Sequence, residues 1–169
     1  MPGFTALEGN LLLLQQGLDL LERLSDADYR DHAIDRSAVG AQYRHILDHY
    51  RCLLDGLHEG EVDFDRRHRD PVVETERAAA CRATTELLDR LRLLSGFPPG
   101  RPIRIRQSTG AEGSDDPQSS SLGRELLFLV SHTVHHYAII RLLLEERGVV
   151  CQPDLGVAPS TLAFRQATG

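Results

Sequence analysis

The sequence predicts an all-α fold, a four-helix bundle with a long irregular connection before its last long helix. Leucine is the most frequent apolar residue, and leucine favours helix over sheet. Apolar residues recur at the spacing of one helical face in four long stretches. At 169 residues, 41% of them hydrophobic, the chain has the size and apolar content of one domain. We therefore expect a single domain over residues 1–169.

The first two helices are predicted over residues 5–24 and 37–57. Leucines one and two turns apart form the apolar face of the first helix: Leu7, Leu11, Leu14, Leu18 and Leu21. The second helix begins at Ser37, which is a good N-cap residue. Gly56 and Gly60 mark its end.

The third and fourth helices are predicted over residues 71–94 and 121–147. Asp70 is an N-cap residue followed by proline at the first helical position. Glycine and proline residues in the run 96–100 stop the third helix. Ser120 or Ser121 caps the fourth helix, and Gly148 follows it.

The connecting segments carry weaker signals. Residues 102–106 alternate between apolar and charged side chains, which is a weak strand signal. Residues 110–120 are rich in Gly, Ser, Asp and Pro and predict a mobile surface loop. The tail, residues 153–169, is expected to be mostly irregular. Because aromatic residues are few and tryptophan is absent, the core is expected to be mostly aliphatic.

Composition excludes some classes of partner. The formal net charge is −6 and no lysine occurs, which argues against non-specific nucleic-acid binding. No run of 18 uninterrupted apolar residues is present, and the N-terminus lacks a basic signal-peptide region, so no membrane association is expected. The cysteines are three, far apart and without a CxxC motif, which favours free thiols in a reducing cytoplasm.

The fourth predicted helix carries three histidines within five residues. His132 and His136 are four residues apart and therefore project from the same face of the helix. Imidazoles on an apolar helix are unfavourable unless their ring nitrogens are satisfied, and a divalent metal ion satisfies them well. Such a pair also arises by chance, and a lone helical His is usually a hydrogen-bonded bystander.

The second predicted helix carries another such pair, His45 and His49, and either residue can supply a third imidazole. On a helical wheel, His49 flanks the apolar stripe and His45 lies farther round. Three histidines with an open position are typical of a catalytic zinc site rather than a closed structural one. Two other metal sites are excluded, because Thr133 stands where an HExxH motif needs Glu, and the paired Glu-x-x-His motifs of di-iron proteins are missing.

The chain resembles the DinB/YfiT-like family in an ordered set of segments. These are residues 37–50 (SAVGAQYRHILDHY), 63–70 (DFDRRHRD), 121–125 (SLGRE), the HxxxH motif that follows, and 156–162 (GVAPSTL). The resemblance implies a four-helix bundle with an up-down-down-up arrangement. It also implies that Zn²⁺ or Ni²⁺ is bound by His45, His132 and His136, because the family's helix-two ligand lies three residues before an Asp, here Asp48. His49 remains the alternative ligand, and His135 points away from His136.

Some family members are thiol-dependent transferases or isomerases, and a metal suits that chemistry because a coordinated thiol is deprotonated. An acidic low-molecular-weight thiol would also need cationic side chains for recognition. The candidate arginines are Arg66, Arg67, Arg69 and Arg124. Those in the Asp63–Asp70 segment alternate with acidic residues, so a solvated, charge-balanced loop is the alternative interpretation. Asp48 is a candidate to orient His45 through a hydrogen bond.

Two classes of function follow. The first is a metal-dependent transferase that joins a low-molecular-weight thiol to an electrophilic small molecule. The second is a non-catalytic metal-binding bundle in a stress or damage response. Apolar residues around the first and fourth helices exceed the need of a four-helix core, which predicts a homodimer. Cys52 and Tyr137 lie near the histidines in sequence. Cys52 is either a small buried hydrophobic residue or a reactive thiol. Tyr137 is either a core residue or part of the wall of a pocket.

Overall fold

A computed structural model of the chain describes residues 5–30, 38–110 and 116–168. The predicted N-cap Ser37 and residues 111–115 of the predicted loop lie outside those ranges. In chain order the elements are α1 (Ala6–Arg23), α2 (Asp26–Arg30), α3 (Val39–Glu59), β1 (Glu61–Asp63), α4 (Pro71–Thr75), α5 (Arg77–Arg92), β2 (Pro102–Arg106), β3 (Gln118–Ser121), α6 (Leu122–Glu145) and α7 (Pro159–Thr168).

The four long helices pack against one another, with α1 in contact with α5 and α6, and α3 in contact with the same two helices. The mostly helical prediction is therefore confirmed. Local chemistry sets several helix ends as expected. Ser121 is the N-cap of α6 and accepts a hydrogen bond from the Arg124 amide at 3.3 Å. Gly60 ends α3 in the left-handed conformation, with φ of 77°.

A small sheet was not predicted beyond the strand signal at residues 102–106. The strands are ordered β1-β2-β3, with β1 parallel and β3 antiparallel to β2. β1 follows α3 directly, and Gly56 lets the chain fold back closely, because a Cβ at this position would collide with the Glu61 carbonyl and Val62. The sheet therefore joins the charged segment after α3 to the connection before α6.

The third predicted helix, 71–94, is wrong as a continuous element. The chain is extended at Glu76, with φ of −119° and ψ of 107°, so that α4 and α5 are separate and a 3₁₀ turn (Leu93–Gly96) follows α5. The buried Tyr29 hydroxyl donates a hydrogen bond to the Val73 carbonyl at 2.5 Å. Gly40 of α3 lies against the Glu74 carbonyl. These tertiary contacts hold the α4 carbonyls away from a continuous helical path.

One short helix was not predicted, and one prediction of irregular structure is corrected. The polar run after α1 contains α2, because Ser25 caps it by accepting from the Asp28 amide at 3.1 Å. The tail contains α7, which begins at Pro159, a residue preorganised for the first helical position. No residue of α7 is buried, so the tail lacks the strong apolar periodicity by which a helix is recognised in a sequence.

The buried hydrophobic core is mostly aliphatic, as expected, but its largest fully buried members are aromatic. The largest fully buried side chains include all four tyrosines and Phe64; the tyrosines are Tyr29, Tyr43, Tyr50 and Tyr137. Each tyrosine hydroxyl makes a hydrogen bond, as buried phenols require. Tyr137 is therefore a core residue rather than a pocket wall.

One buried polar network ties three helices together beneath the histidines. The Tyr50 hydroxyl of α3 donates to Asn10 Oδ1 of α1 at 2.7 Å and lies 3.1 Å from Thr133 Oγ1 of α6. Asn10 Nδ2 donates to the Leu126 carbonyl of α6 at 2.8 Å. Because Asn10 and Thr133 are fully buried, the loss of one member leaves an unsatisfied polar group.

Helix α6 is the one helix among the described residues that is long and apolar enough to cross a membrane. A core helix of a soluble protein meets the same criterion, and α6 packs on α1 and α3. The property is therefore weak evidence for a membrane span, and the expectation of no membrane association stays a prediction.

We predict that Tyr50→Phe lowers the free energy of unfolding by about 1–3 kcal/mol, because Asn10 Oδ1 is then buried without its donor. Urea unfolding of metal-free protein measures the change. Thr85→Ala is the control, since that exposed hydroxyl bonds only the Cys81 carbonyl of its own helix. Equal stability of Tyr50→Phe and the wild type would show that the network is not a stabilising tie.

Candidate metal centre

The contact between α3 and α6 brings three of the predicted histidines together. His45, His132 and His136 each offer one ring nitrogen, and these nitrogens lie within 4.8 Å of one another. The Nε2 atoms of His45 and His132 are 3.1 Å apart. Two nitrogens bound to one tetrahedral zinc ion at 2.0–2.1 Å are about 3.3 Å apart. The spacing of these two imidazoles thus fits one shared metal ion.

Gln42 is a site residue that was missed from the sequence. Its Oε1 lies 2.5 Å from His136 Nδ1, so that Nδ1 donates and Nε2 of the neutral ring is left with its lone pair. Metal-binding histidines commonly donate their second ring nitrogen in this way. The one available signal is that Gln42 precedes His45 by three residues and therefore shares its helix face.

His132 is the imidazole least well satisfied by the protein. Its Nε2 faces another Nε2, and its Nδ1 is buried without a hydrogen-bond partner in the described part of the chain. Without a cation, one of the two facing nitrogens must be the donor and the other the acceptor. A metal ion placed between the two Nε2 atoms would accept the lone pair of each. The imidazole nitrogens therefore suit a divalent cation.

The three imidazoles are held neutral. Burial, followed by the neighbouring His49 and His136, lowers the pKa of His45 from 6.5 to about 3. Burial and the same two neighbours lower the pKa of His132 to about 2. Burial and His135 lower the pKa of His136 to about 4. The cluster is therefore in the metal-binding protonation state at neutral pH.

His49 lies beside the cluster but has its ring nitrogens directed elsewhere. Its Nδ1 is 2.8 Å from the His45 carbonyl and donates to it, and its Nε2 is 3.4 Å from Arg67 Nη1. The ring is buried and stacks on Phe64, with 5.5 Å between centroids. The geometry favours His45 over His49 as the third ligand. As the helical wheel predicted, His49 is more deeply buried than His45. Its ring nitrogens face the His45 carbonyl and Arg67, so this burial argues against its binding a metal.

Asp48 does not orient His45 by any hydrogen bond in the described structure. Its buried Oδ2 accepts from Arg44 Nη1 at 3.0 Å and from the Arg69 amide at 3.2 Å. Arg44 also bonds Glu74 at 2.6 Å. Asp48 therefore anchors the charged loop to α3. Arg69 takes part through its main chain, which has a left-handed φ of 49°.

Arg124 lies at the start of α6, away from the three clustered histidines. Its Nη1 donates to the buried Glu125 carboxylate at 2.9 Å, and its guanidinium lies 5.7 Å from the centre of the Phe128 ring. Phe128 in turn lies 5.5 Å from the His132 ring centroid. Arg124 is 65% exposed, so it stands at the solvent side of the aromatic wall formed by Phe64 and Phe128.

The remaining candidate residues differ in their exposure and in their contacts with the histidines. Arg66 is 88% exposed and pairs with Asp63, whereas Arg67 contacts His49. His135 is exposed and touches only the edge of the His136 ring among the histidines. Cys52 is half-buried, and burial followed by Asp48 raises the pKa of its thiol to about 11. Its role as a small hydrophobe is thus favoured over a reactive thiol.

No fourth metal-ligating side chain joins the three histidines within residues 5–30, 38–110 and 116–168. The largest cleft described, about 720 Å³, lies between the end of α3 and the charged loop, and none of the three histidines lines it. Its lining residues include Arg51, Cys52, Asp63 and Arg106. The arrangement is a three-imidazole site without a fourth described protein ligand, separate from this cleft.

Comparison with known proteins gives a family and one relative. The profile of the DinB superfamily matches residues 14–140, which include all three clustered histidines. A protein of Rhizopus delemar named FK506-binding protein 5 is 31% identical over 102 residues, which are 60% of this chain. The matched region is 26% of that protein, so the chain corresponds to about a quarter of the relative's length.

We predict that metal-free protein loses stability as the pH falls from 6.5 towards 4. The folded-state pKa values of the three histidines lie below their usual 6.5, so the unfolded chain binds more protons in this range and is favoured by acid. Urea midpoints measured with a chelator at each pH test this. His132→Gln should show a shallower decline, and an identical decline in both proteins would contradict the burial of neutral His132.

Proposed function

The chain belongs to the DinB superfamily, and from that premise we propose that His45, His132 and His136 bind one divalent metal ion. The observation that carries the proposal is the 3.1 Å approach of two Nε2 atoms within a cluster of three neutral imidazoles. Imidazole ligands suit Zn²⁺ and Ni²⁺, which are the ions we propose. We propose that α1, α3, α5 and α6 correspond to the family's four-helix bundle, whose facing helices are where such sites are built.

We further propose that the site serves transfer of a low-molecular-weight thiol to an electrophilic small molecule. A bound metal ion would supply Lewis acidity, which favours the thiolate form of a coordinated thiol. The protein's own Cys52 is a poor nucleophile because its pKa is raised to about 11, so the thiol would come from solution. The sulfur would form the new bond to carbon, the thiol proton would go to solvent, and the leaving group would depart with its electron pair.

The residues around the histidines would each have a part in this chemistry. Gln42 holds the proton on His136 Nδ1 and so keeps that ring in one tautomer. Phe128 lies 5.5 Å from the His132 ring and Phe64 stacks on the neighbouring His49, so both rings would limit the access of water from that side. Three protein ligands would leave a bound metal ion with a coordination position for a substrate atom, as in catalytic zinc sites.

The alternative is a non-catalytic metal-binding bundle that acts in a stress or damage response. One observation favours it, because the cleft of about 720 Å³ beside the end of α3 is lined by none of the three histidines. The name of the fungal relative refers to FK506 binding by that protein. Since the match covers 26% of it, the name gives no reason to propose the same ligand for this chain.

We propose a homodimer in the cytoplasm, with no nucleic-acid or membrane partner. Leu127 and Leu142 of α6 are 60% and 63% exposed, which supports an apolar contact between two copies. The net charge of −6 supports the absence of a nucleic-acid partner.

We predict about one Zn²⁺ or Ni²⁺ per chain in protein loaded with that ion and then desalted, measured by plasma mass spectrometry. His132→Ala should lose the ion, because only two of the three proposed imidazole ligands remain to bind it. His135→Ala is the matched control, since this exposed neighbour is outside the cluster, and it should retain the ion. Unchanged metal content in His132→Ala would contradict the proposed ligands.

We predict that metal-loaded protein consumes a thiol and 1-chloro-2,4-dinitrobenzene in equal amounts with at least one member of a small thiol panel. Glutathione, cysteine and 2-mercaptoethanesulfonate form a suitable panel. Product absorbance and residual thiol measure the two losses, with His132→Ala as the inactive control. Stoichiometric metal without thiol consumption would favour the non-catalytic alternative.

A further inference from the structure

A second cleft, of about 630 Å³, lies where strands β2 and β3 meet the start of α6. Its volume is in the range of small-molecule sites. Ile105 of β2, Ser119 of β3 and Glu125 of α6 are among its lining residues, and none of the clustered histidines lines it. Glu125 precedes His132 by two helical turns, about 10 Å along the helix. The cleft is therefore separate from the proposed metal centre.

Glu125 places a half-satisfied carboxylate in this cleft. Its side chain is 1% exposed. The Ser120 hydroxyl donates to Oε1 at 2.5 Å, and Arg124 Nη1 donates to the same oxygen at 2.9 Å. The other oxygen, Oε2, is buried and has no hydrogen-bond partner among residues 5–30, 38–110 and 116–168. A buried oxygen of this kind is unfavourable until a donor reaches it.

The contacts at Oε1 do not explain why a charged residue is buried here. A neutral glutamine oxygen would accept the same two hydrogen bonds. Arg124 is 65% exposed, so its ion pair with Glu125 offsets little of the cost of burying the carboxylate. A cationic donor inside the cleft would satisfy Oε2 and neutralise the charge at once.

The rest of the lining suits such a donor. Several lining side chains carry a hydroxyl or amide oxygen that can accept an N–H hydrogen bond, namely Gln107, Ser108, Thr109, Gln118 and Ser119. The charged lining residues are two acids, Asp116 and Glu125, against one base, Arg124. The cleft thus combines an excess of negative charge with many oxygen acceptors.

An ammonium group matches these features, because it is positively charged and has N–H donors but no acceptor. We propose that the cleft between β2, β3 and α6 binds a small primary amine as its ammonium ion, which donates to Glu125 Oε2. The amine site is distinct from the three-histidine site and does not depend on a bound metal ion.

The test compares 1,4-diaminobutane with 1,4-butanediol by isothermal titration calorimetry, in phosphate buffer free of other amines. The two probes share a carbon chain and differ in charge and in donor groups. Metal-loaded wild-type protein should bind the diamine at least about tenfold more tightly than the diol, the range of one hydrogen bond to a charged group. His132→Ala should bind the diamine as the wild type does, because the cleft holds no proposed metal ligand.

Glu125→Gln should abolish the preference for the diamine, since the amide keeps an acceptor for Ser120 and Arg124 and turns an N–H towards the ammonium. Glu145→Gln is the matched control and should keep the preference. It makes the same change of charge on the same helix, at a partly exposed residue that pairs with Arg141.

Arg124→Met tests the site in the opposite direction and changes an exposed side chain. Removal of the competing cation should tighten diamine binding about two- to fivefold. If Glu125→Gln does not fold, this variant decides the matter, and affinity equal to or weaker than that of the wild type overturns the proposal.

The remaining outcomes are equally decisive. Equal affinity of the wild type for both probes, or binding of neither, overturns the amine site. A preference that survives in Glu125→Gln, or that disappears in Glu145→Gln, attributes it to the overall charge of the protein and overturns the site as well. Diamine binding that is lost in His132→Ala places the amine on the metal ion instead. Absence of metal from the wild type would overturn the proposed function and leave the amine site standing.

Discussion

The burial of several imidazoles in one small space, where none of them can readily hold a proton, is the constraint on which the rest of this structure depends. His45, His132 and His136 come from two helices, and their spacing is set by how closely α3 and α6 pack. Burial is the main cause of their neutrality. If these helices were farther apart, water would reach the three imidazoles and their pKa values would return towards 6.5. Their ring nitrogens would also be too far apart to bind one ion.

Packing below the cluster keeps the helices at that distance. Asn10, Tyr50 and Thr133 join α1, α3 and α6 by hydrogen bonds that have no competing water. On the other side, Asp48 holds the charged loop against α3 and so brings Arg67 next to His49. These hydrogen bonds are directional and fix the position of the three helices relative to one another. Packing of leucine side chains alone would fix that position less uniquely.

The pairing of the two clustered histidines on α6 could be predicted from sequence because two residues four apart on a helix must share a face. The choice between His45 and His49 could not be made from periodicity, since a helical wheel gives burial but not the direction of ring nitrogens. Resemblance to a family supplied the choice, and the ring contacts of His49 give its physical reason. The break at Glu76 depends on Tyr29, 47 residues earlier, and no local pattern contains that information. The sheet was missed for a similar reason, because β1 pairs with a strand about 40 residues away.

Tyr137 directly follows His136, and its hydroxyl donates to the Leu13 carbonyl of α1 at 2.9 Å. Its ring lies over Gly17, where any side chain would collide with it. A larger residue at position 17 would therefore displace α6 at the very turn that carries a proposed ligand. In a survey of variants scored only by metal retention, Gly17 would emerge as a site position although it offers no ligand atom. A substitution in α1 would thus disturb the proposed metal site from a helix that offers it no ligand.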